Sequence, residues 1–205
     1  MLKYREIIFA SHNRGKIAEI REMLNPYGIK VLSAADLELP DVEETGKTFE
    51  ENAYIKALAA AKAHNIPCFA DDSGLCVDAI GGRPGVYTAR YAPNRDFNLG
   101  MDKLLKELQE TNPQNRAAHF SCVIVFARPD GSYKSFEGRV DGKIATHKSG
   151  NAGFGYDPIF IPTGFDRSFA EFDSVEKSKI SHRGRALQKF IDYLTCLLYT
   201  SDAAD

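Results

Sequence analysis

Glu6 to Ser11 (EIIFAS) is a short apolar run of strand length, after which apolar residues return at helical spacing through Ile17, Ile20 and Leu24. The polar stretch His12-Asn13-Arg14-Gly15-Lys16 lies between them, so the pattern predicts a strand, a turn and a helix. That helix should stop near Asn25-Pro26, because proline disfavours helical backbone in the residue before it. Thr48 and Glu51 form a T-x-x-E capping box ahead of the alanine-rich stretch Asn52 to Ala63, a second helix. Pro67 to Ala70 reads as another strand, ending in Asp71-Asp72-Ser73-Gly74. Strand alternating with helix favours an α/β sheet in this half.

The second half changes character. Leu99 to Leu108 is amphipathic at helical spacing, and Ala118 to Ala127 is a strand rich in β-branched and aromatic residues. Pro129-Asp130-Gly131 turns the chain into a return strand from Tyr133, and a loop that short requires an antiparallel pair. The sheet is therefore mixed. Gly150 to Pro158 reads as an irregular glycine-bearing loop, and a last helix starts near Ser181 with Leu187, Phe190, Ile191 and Leu194 on one face. The expected fold class is α/β with an α+β flavour: one mixed domain over residues 1–196. Residues 197–205 (LLYTSDAAD) are expected to break the helical pattern and form a disordered or non-native tail.

The chain has 205 residues, 43% of them hydrophobic and 26% charged, which suits a globular protein with a real core. Its 26 Lys+Arg against 28 Asp+Glu give a net charge of −2, so no general cationic surface is available for nucleic acid. The longest apolar run, Cys122 to Ala127, is far short of the roughly 20 residues a spanning helix needs, and no signal-peptide core is visible. Cys68, Cys76, Cys122 and Cys196 show no CxxC pair and read as reduced core thiols in a cytoplasmic protein. The scattered histidines include no HExxH motif.

Five segments carry candidate chemistry. The turn with Gly15 and Lys16 before a helix is either an ordinary polar connection or a phosphate site built on free N–H groups. It is not a P-loop, since Ala10 and Ile17 stand where Gly and Ser or Thr are needed; Gly46-Lys47-Thr48 fails too, with Asp41 in the first glycine position. The acids Asp41, Glu43, Glu44, Glu50 and Glu51 form either a solvated helix approach or a source of Mg²⁺ ligands. Asp71-Asp72-Ser73-Gly74 is either an Asx-type turn or a carboxylate pair that holds a cation and takes a proton from water. Gly153-Phe154-Gly155-Tyr156-Asp157-Pro158 offers aromatic faces and a carboxylate for a base. Lys177, Lys179, His182, Arg183 and Arg185 gather donors around the start of the last helix, or simply solvate it.

The order of these segments carries more than any one of them. SHNRGK at 11–16, EETGKTFEENAYIKA at 43–57, ADDSGL at 70–75, GGRPGVYTARYA at 81–92, GFGYDPIF at 153–160 and EKSKISHRGRAL at 176–187 together resemble the inosine/xanthosine triphosphate pyrophosphatase (Ham1-like) family, in register over about residues 5 to 194. The resemblance implies an elongated mixed sheet with flanking helices, two lobes around a central cleft, and a homodimer. It implies hydrolysis of dITP, ITP and XTP to the monophosphate and pyrophosphate with Mg²⁺, cleansing the nucleotide pool. By motif position Asp72 is the implied proton acceptor and a metal ligand, Glu43 the other metal ligand, and Asp71 an assistant. Ser11, His12, Asn13, Arg14, Gly15 and Lys16 would receive the triphosphate with Ser73 nearby. Phe154, Gly155, Tyr156, Asp157, Lys177, His182 and Arg183 would hold the nucleoside. Hypoxanthine and xanthine present a 6-carbonyl that donors such as His182 and Arg183 satisfy, whereas adenine presents an amino group there.

Three other classes compete. A Maf-like pyrophosphatase for pyrimidine or modified nucleotides is opposed by the FGYD and SHR segments. A non-catalytic nucleotide-binding regulator has no need of both Glu43 and Asp72. A nucleic-acid-binding module is opposed by the charge balance.

Overall fold

The computed structural model describes residues 6–201, with side chains as far as Thr195. It is a mixed α/β protein. Seven strands, β1 (Glu6–Phe9), β2 (Lys30–Ser33), β3 (Cys68–Val77), β4 (Arg83–Pro84), β5 (Ala117–Ala127), β6 (Tyr133–Ile144) and β7 (Phe160–Pro162), pair in the order β2-β1-β3-β5-β6-β7, with β4 on β3. The helices are α1 (Arg14–Leu24), α2 (Phe49–His64), α3 (Phe97–Thr111), α4 (Ser174–Ile180) and α5 (His182–Ser201). The pairs β1–β2 and β1–β3 are parallel; β3–β4 and β6–β7 are antiparallel.

The chain divides into two compact units. The first holds residues up to Asp72, Val123–Gly138 and the chain from Gly184; the second holds Ser73–Cys122 and Arg139–Arg183. In the first unit the register Ile8↔Cys68 and Phe9↔Phe69 sorts side chains by the two-residue period of a strand. Ile8, Ala10, Cys68 and Ala70 pack with Ala53, Ala57, Ala60 and Ala61, whose small side chains let α2 lie close to the strands. Phe9 stacks on Phe69 at 4.8 Å, and Phe69 meets Phe190 of α5 at 5.0 Å. Both faces of these parallel strands are thus covered, as parallel pairing demands. In the second unit Met101, Leu104 and Leu108, one face of α3, join Phe120, Phe160, Phe169 and Phe172 in a separate core.

Several boundaries differ from the expectations, each for a local reason. Asn13 caps α1 by accepting from the Lys16 N–H at 3.1 Å, so Arg14, Gly15 and Lys16 form the first helical turn rather than a connecting one. The α-helix stops at Leu24 as expected, but Asn25 keeps helical backbone (φ −55°, ψ −44°) and a 3-10 turn runs on through Pro26 to Tyr27, so the proline tightens the helix end rather than breaking it at Asn25. Asp71-Asp72-Ser73-Gly74 does not end a strand or form an Asx turn: β3 runs through it to Val77, its carboxylates met by side chains described below. Lys177 and Lys179 lie on a separate short helix, α4, which Asp173 caps; Ser181, extended at φ −70° and ψ 157°, breaks it from α5. The helical backbone of α5 also continues past Leu197 to Ser201, correcting the expected break there. Leu197 and Leu198 follow Leu194 at i+3 and i+4, and no Pro or Gly intervenes. Residues 202–205 of the expected tail lie outside the described residues.

Candidate active site

In the first unit a buried network of two lysines and three acids forms where α1, α2 and β3 bring distant residues together. Lys16, in the first turn of α1, places Nζ 3.1 Å from both oxygens of Asp71. Asp72 is buried; its Oδ2 accepts from Asn52 Nδ2 at 3.1 Å, and its Oδ1 lies 3.9 Å from Lys56 Nζ. Lys56 also bonds Glu44 Oε1 at 2.7 Å. Asn52 and Lys56 are one helical turn apart on α2, so they present to the same side. Burial pushes the Asp72 carboxyl above its ordinary range, only partly offset by Lys56 and Lys16. Burial alone would lower the Lys56 ammonium, but Asp72, Asp71 and Glu44 outweigh it and hold it raised. A proton-hungry carboxylate beside a firmly charged lysine is suited to taking a proton while neighbouring negative charge is neutralised.

The approach to α2 decides which acid joins this network. From Asp41 to Gly46 exposure alternates residue by residue, as an extended backbone dictates. Glu44 therefore turns inward to Lys56, while Glu43 is exposed and makes no ion pair among the described residues. The other residues of the 11–16 segment sit at the start of α1. Ser11 Oγ accepts from the Asn13 N–H at 3.3 Å, and His12 Nε2 donates to the Leu39 carbonyl at 2.8 Å. Arg14 is exposed, and Gly15 is partly buried. In this first turn the Lys16 N–H is taken by the Asn13 cap, while those of Arg14 and Gly15 have no carbonyl four residues back within the helix, which suits them to an anion.

The second unit holds a different arrangement. The loop from Gly153 to Asp157 needs glycine at both Gly153 and Gly155, whose φ values are +73° and +67°. Asp157 Oδ2 accepts from the Phe154 N–H at 2.7 Å and from Lys177 Nζ at 2.8 Å. Its carboxylate therefore shapes the loop and anchors the lysine. Lys177 Nζ then lies 4.9 Å from the Phe154 ring centre, and the Arg183 guanidinium 5.4 Å from it. Arg183, 1% exposed, donates to Ser73 Oγ at 3.0 Å. The His182 ring stacks on Phe120 at 4.7 Å and 10°. Tyr156 packs its hydroxyl against Gly100, where no side chain would fit, and burial pushes it up to about 12. A ring flanked by cations suits a flat ligand that accepts hydrogen bonds.

The structure thus gathers Lys16, Asp71 and Asp72 in one cluster and Ser73, Phe154, Asp157, Lys177 and Arg183 in another, with His182 next to Arg183 in the chain. Motif reading singles out none of Asn52, Lys56 and Phe120. The N-x-x-x-K spacing of Asn52 and Lys56, just inside a capped helix, is the signal that would have found the first two.

Fold and site together define a mixed α/β protein with a buried carboxylate–lysine cluster matched to phosphate chemistry. More particularly, the chain belongs to the Ham1 family, whose model matches residues 7–193. It is 48% identical to a Bradyrhizobium protein named dITP/XTP pyrophosphatase, over 91% of this chain and 92% of the relative. Among solved structures it is similar to a HAM1 protein from Coxiella burnetii, with TM-score 0.86 and 42% identity, over 93% of this chain and 98% of that one. The Staphylococcus aureus Ham1 protein gives TM-score 0.82 and 44% identity at the same coverage.

Proposed function

We propose that this chain hydrolyses the non-canonical purine triphosphates dITP, ITP and XTP to the nucleoside monophosphate and pyrophosphate. The observation that carries the reading is Asp72: a buried carboxylate, raised by its burial, held on one oxygen by Asn52 and facing Lys56 with the other. Asp72 takes the proton of the attacking water. Lys16, Lys56 and the first turn of α1 (Ser11 to Lys16) neutralise the triphosphate, since such displacements rest on positioning and charge. Ser73, Phe154 to Asp157, Lys177, His182 and Arg183 hold the nucleoside, and Asp157 also keeps their loop in shape. Donors at the purine 6-position pair with the carbonyl of hypoxanthine or xanthine and are left unpaired by adenine.

The donor set fits Mg²⁺. Glu44 and Asp72 already converge on one cation, the Lys56 ammonium. Mg²⁺ needs only one or two carboxylates and completes its shell with phosphate and water. Glu43, the ligand that the family motif implies, and Asp72 would hold it, with Glu44 next to Glu43 and paired to Lys56, and when bound it would supply charge neutralisation to the phosphates. We place its action in the cytoplasm, with Cys68, Cys76 and Cys122 as reduced thiols, and the family resemblance supports a homodimer. No helix of the described residues is long and apolar enough to cross a membrane.

The test is pyrophosphate release with Mg²⁺ from dITP and XTP beside dATP, dGTP and dTTP, with Asp72→Asn as control. Turnover of dITP and XTP alone, lost in the variant, is expected. Turnover of dTTP instead would point to a Maf-like enzyme.

A further inference from the structure

Asp72 and Glu44, two of the three acids of the first cluster, arrive from separate stretches of chain, and one side chain touches both Asp72 and the segment that carries Glu44. Asn52 on α2 is 0% exposed. Its Oδ1 accepts from the Gly46 N–H at 2.8 Å, and its Nδ2 donates to Asp72 Oδ2 at 3.1 Å. Its partners dictate the amide's orientation: a backbone N–H requires the oxygen, and a carboxylate requires the nitrogen. Gly46 is pressed onto the helix start so closely that a Cβ there would lie 2.6 Å from Glu51 Cβ and 2.7 Å from Asn52 Oδ1. The next two N–H groups, of Lys47 and Thr48, are tied to Glu51. Glu44 is two residues upstream of this clamp.

We infer that Asn52 is a positioning residue of the reaction: it pins Asp72 by Oδ2, leaving Oδ1 turned toward Lys56, and anchors the segment that delivers Glu44. The inference rests on the reading of Asp72 as the proton acceptor. No other side chain of this size does both jobs. Aspartate keeps the acceptor for Gly46 but offers Asp72 a like charge in place of a donor; leucine keeps the shape and does neither.

The test compares Asn52→Asp and Asn52→Leu in the full chain, reading kcat and KM for dITP and the hydrogen exchange of the Gly46 amide by NMR. In Asn52→Asp the Gly46 amide stays protected while kcat falls roughly 10–100-fold at unchanged KM, the loss usual for an orienting partner. In Asn52→Leu the same loss appears and the Gly46 amide exchanges faster. A kcat close to wild type per folded molecule in Asn52→Asp, or unaltered Gly46 protection in a folded Asn52→Leu, overturns the inference. Should the leucine variant not fold, Asn52→Asp decides alone. A wild-type chain inert toward dITP defeats the functional reading, and Gly46 exchange then decides the bridge by itself.

Discussion

The two clusters use the same residue types in opposite ways. In the first unit the lysines meet carboxylates: Lys16 with Asp71, Lys56 with Glu44 and Asp72. In the second unit one carboxylate, Asp157, is spent on its own loop and on Lys177, and Lys177 and Arg183 lie over the Phe154 ring. A network of paired charges tunes proton affinity and receives phosphate; cations over an aromatic face present directional donors beside a surface for stacking. The contrast supports the proposal that chemistry and recognition rest on separate networks, which substitutions should uncouple.

The largest effect expected is on rate. Asp72→Asn keeps the shape but cannot take a proton, and steady-state kinetics should show kcat lower by roughly 10²–10⁴, the usual worth of a general base. Asp157→Ala should act on the other network. It removes one partner of a buried pair and frees the Phe154 N–H, so denaturant unfolding should show a loss of about 3–5 kcal/mol. Its nucleotide KM should rise in the same protein. A midpoint unchanged by Asp157→Ala would mean that the loop does not depend on this carboxylate.

The smallest effect is a pH-dependent gain. Because the folded-state pKa of Asp72 is raised, the folded chain holds that proton more tightly than the unfolded chain. The group's contribution is therefore favourable below its unfolded pKa and is lost as pH rises through the folded value. Asp72→Asn should raise Tm at neutral pH, with the gain shrinking as pH falls toward 3.8, the ordinary value for the group. A gain that grew on acidification would contradict the burial of Asp72 as the cause of its shift.

How far these networks were legible depended on the range of the interactions behind them. The Thr48–Glu51 capping box and the end of α1 at Leu24 rest on residues within one turn, and motif reading finds both. The β-branched run of β5 and the amphipathic face of α3 are legible for the same reason. Asp71-Asp72-Ser73-Gly74 is not. Its composition is that of a turn, and Lys16, Asn52 and Lys56, supplied by two other elements, meet the carboxylates of the strand that runs through it. Which of Glu43 and Glu44 pairs with Lys56 turns on the phase of an extended segment, which two adjacent identical residues cannot reveal. The strand β2 and the helix α4, four and seven residues long, are too short for their periodicity to stand out.

The measurement that tests this division most directly is kcat/KM for dITP and for dATP in wild type, Asp72→Asn and Arg183→Ala. The account predicts that Asp72→Asn slows both substrates and keeps their ratio. Arg183→Ala should bring the ratio down by roughly tenfold or more, as expected when a donor that reads the base is lost. A ratio that collapses in Asp72→Asn, or survives in Arg183→Ala, would contradict it.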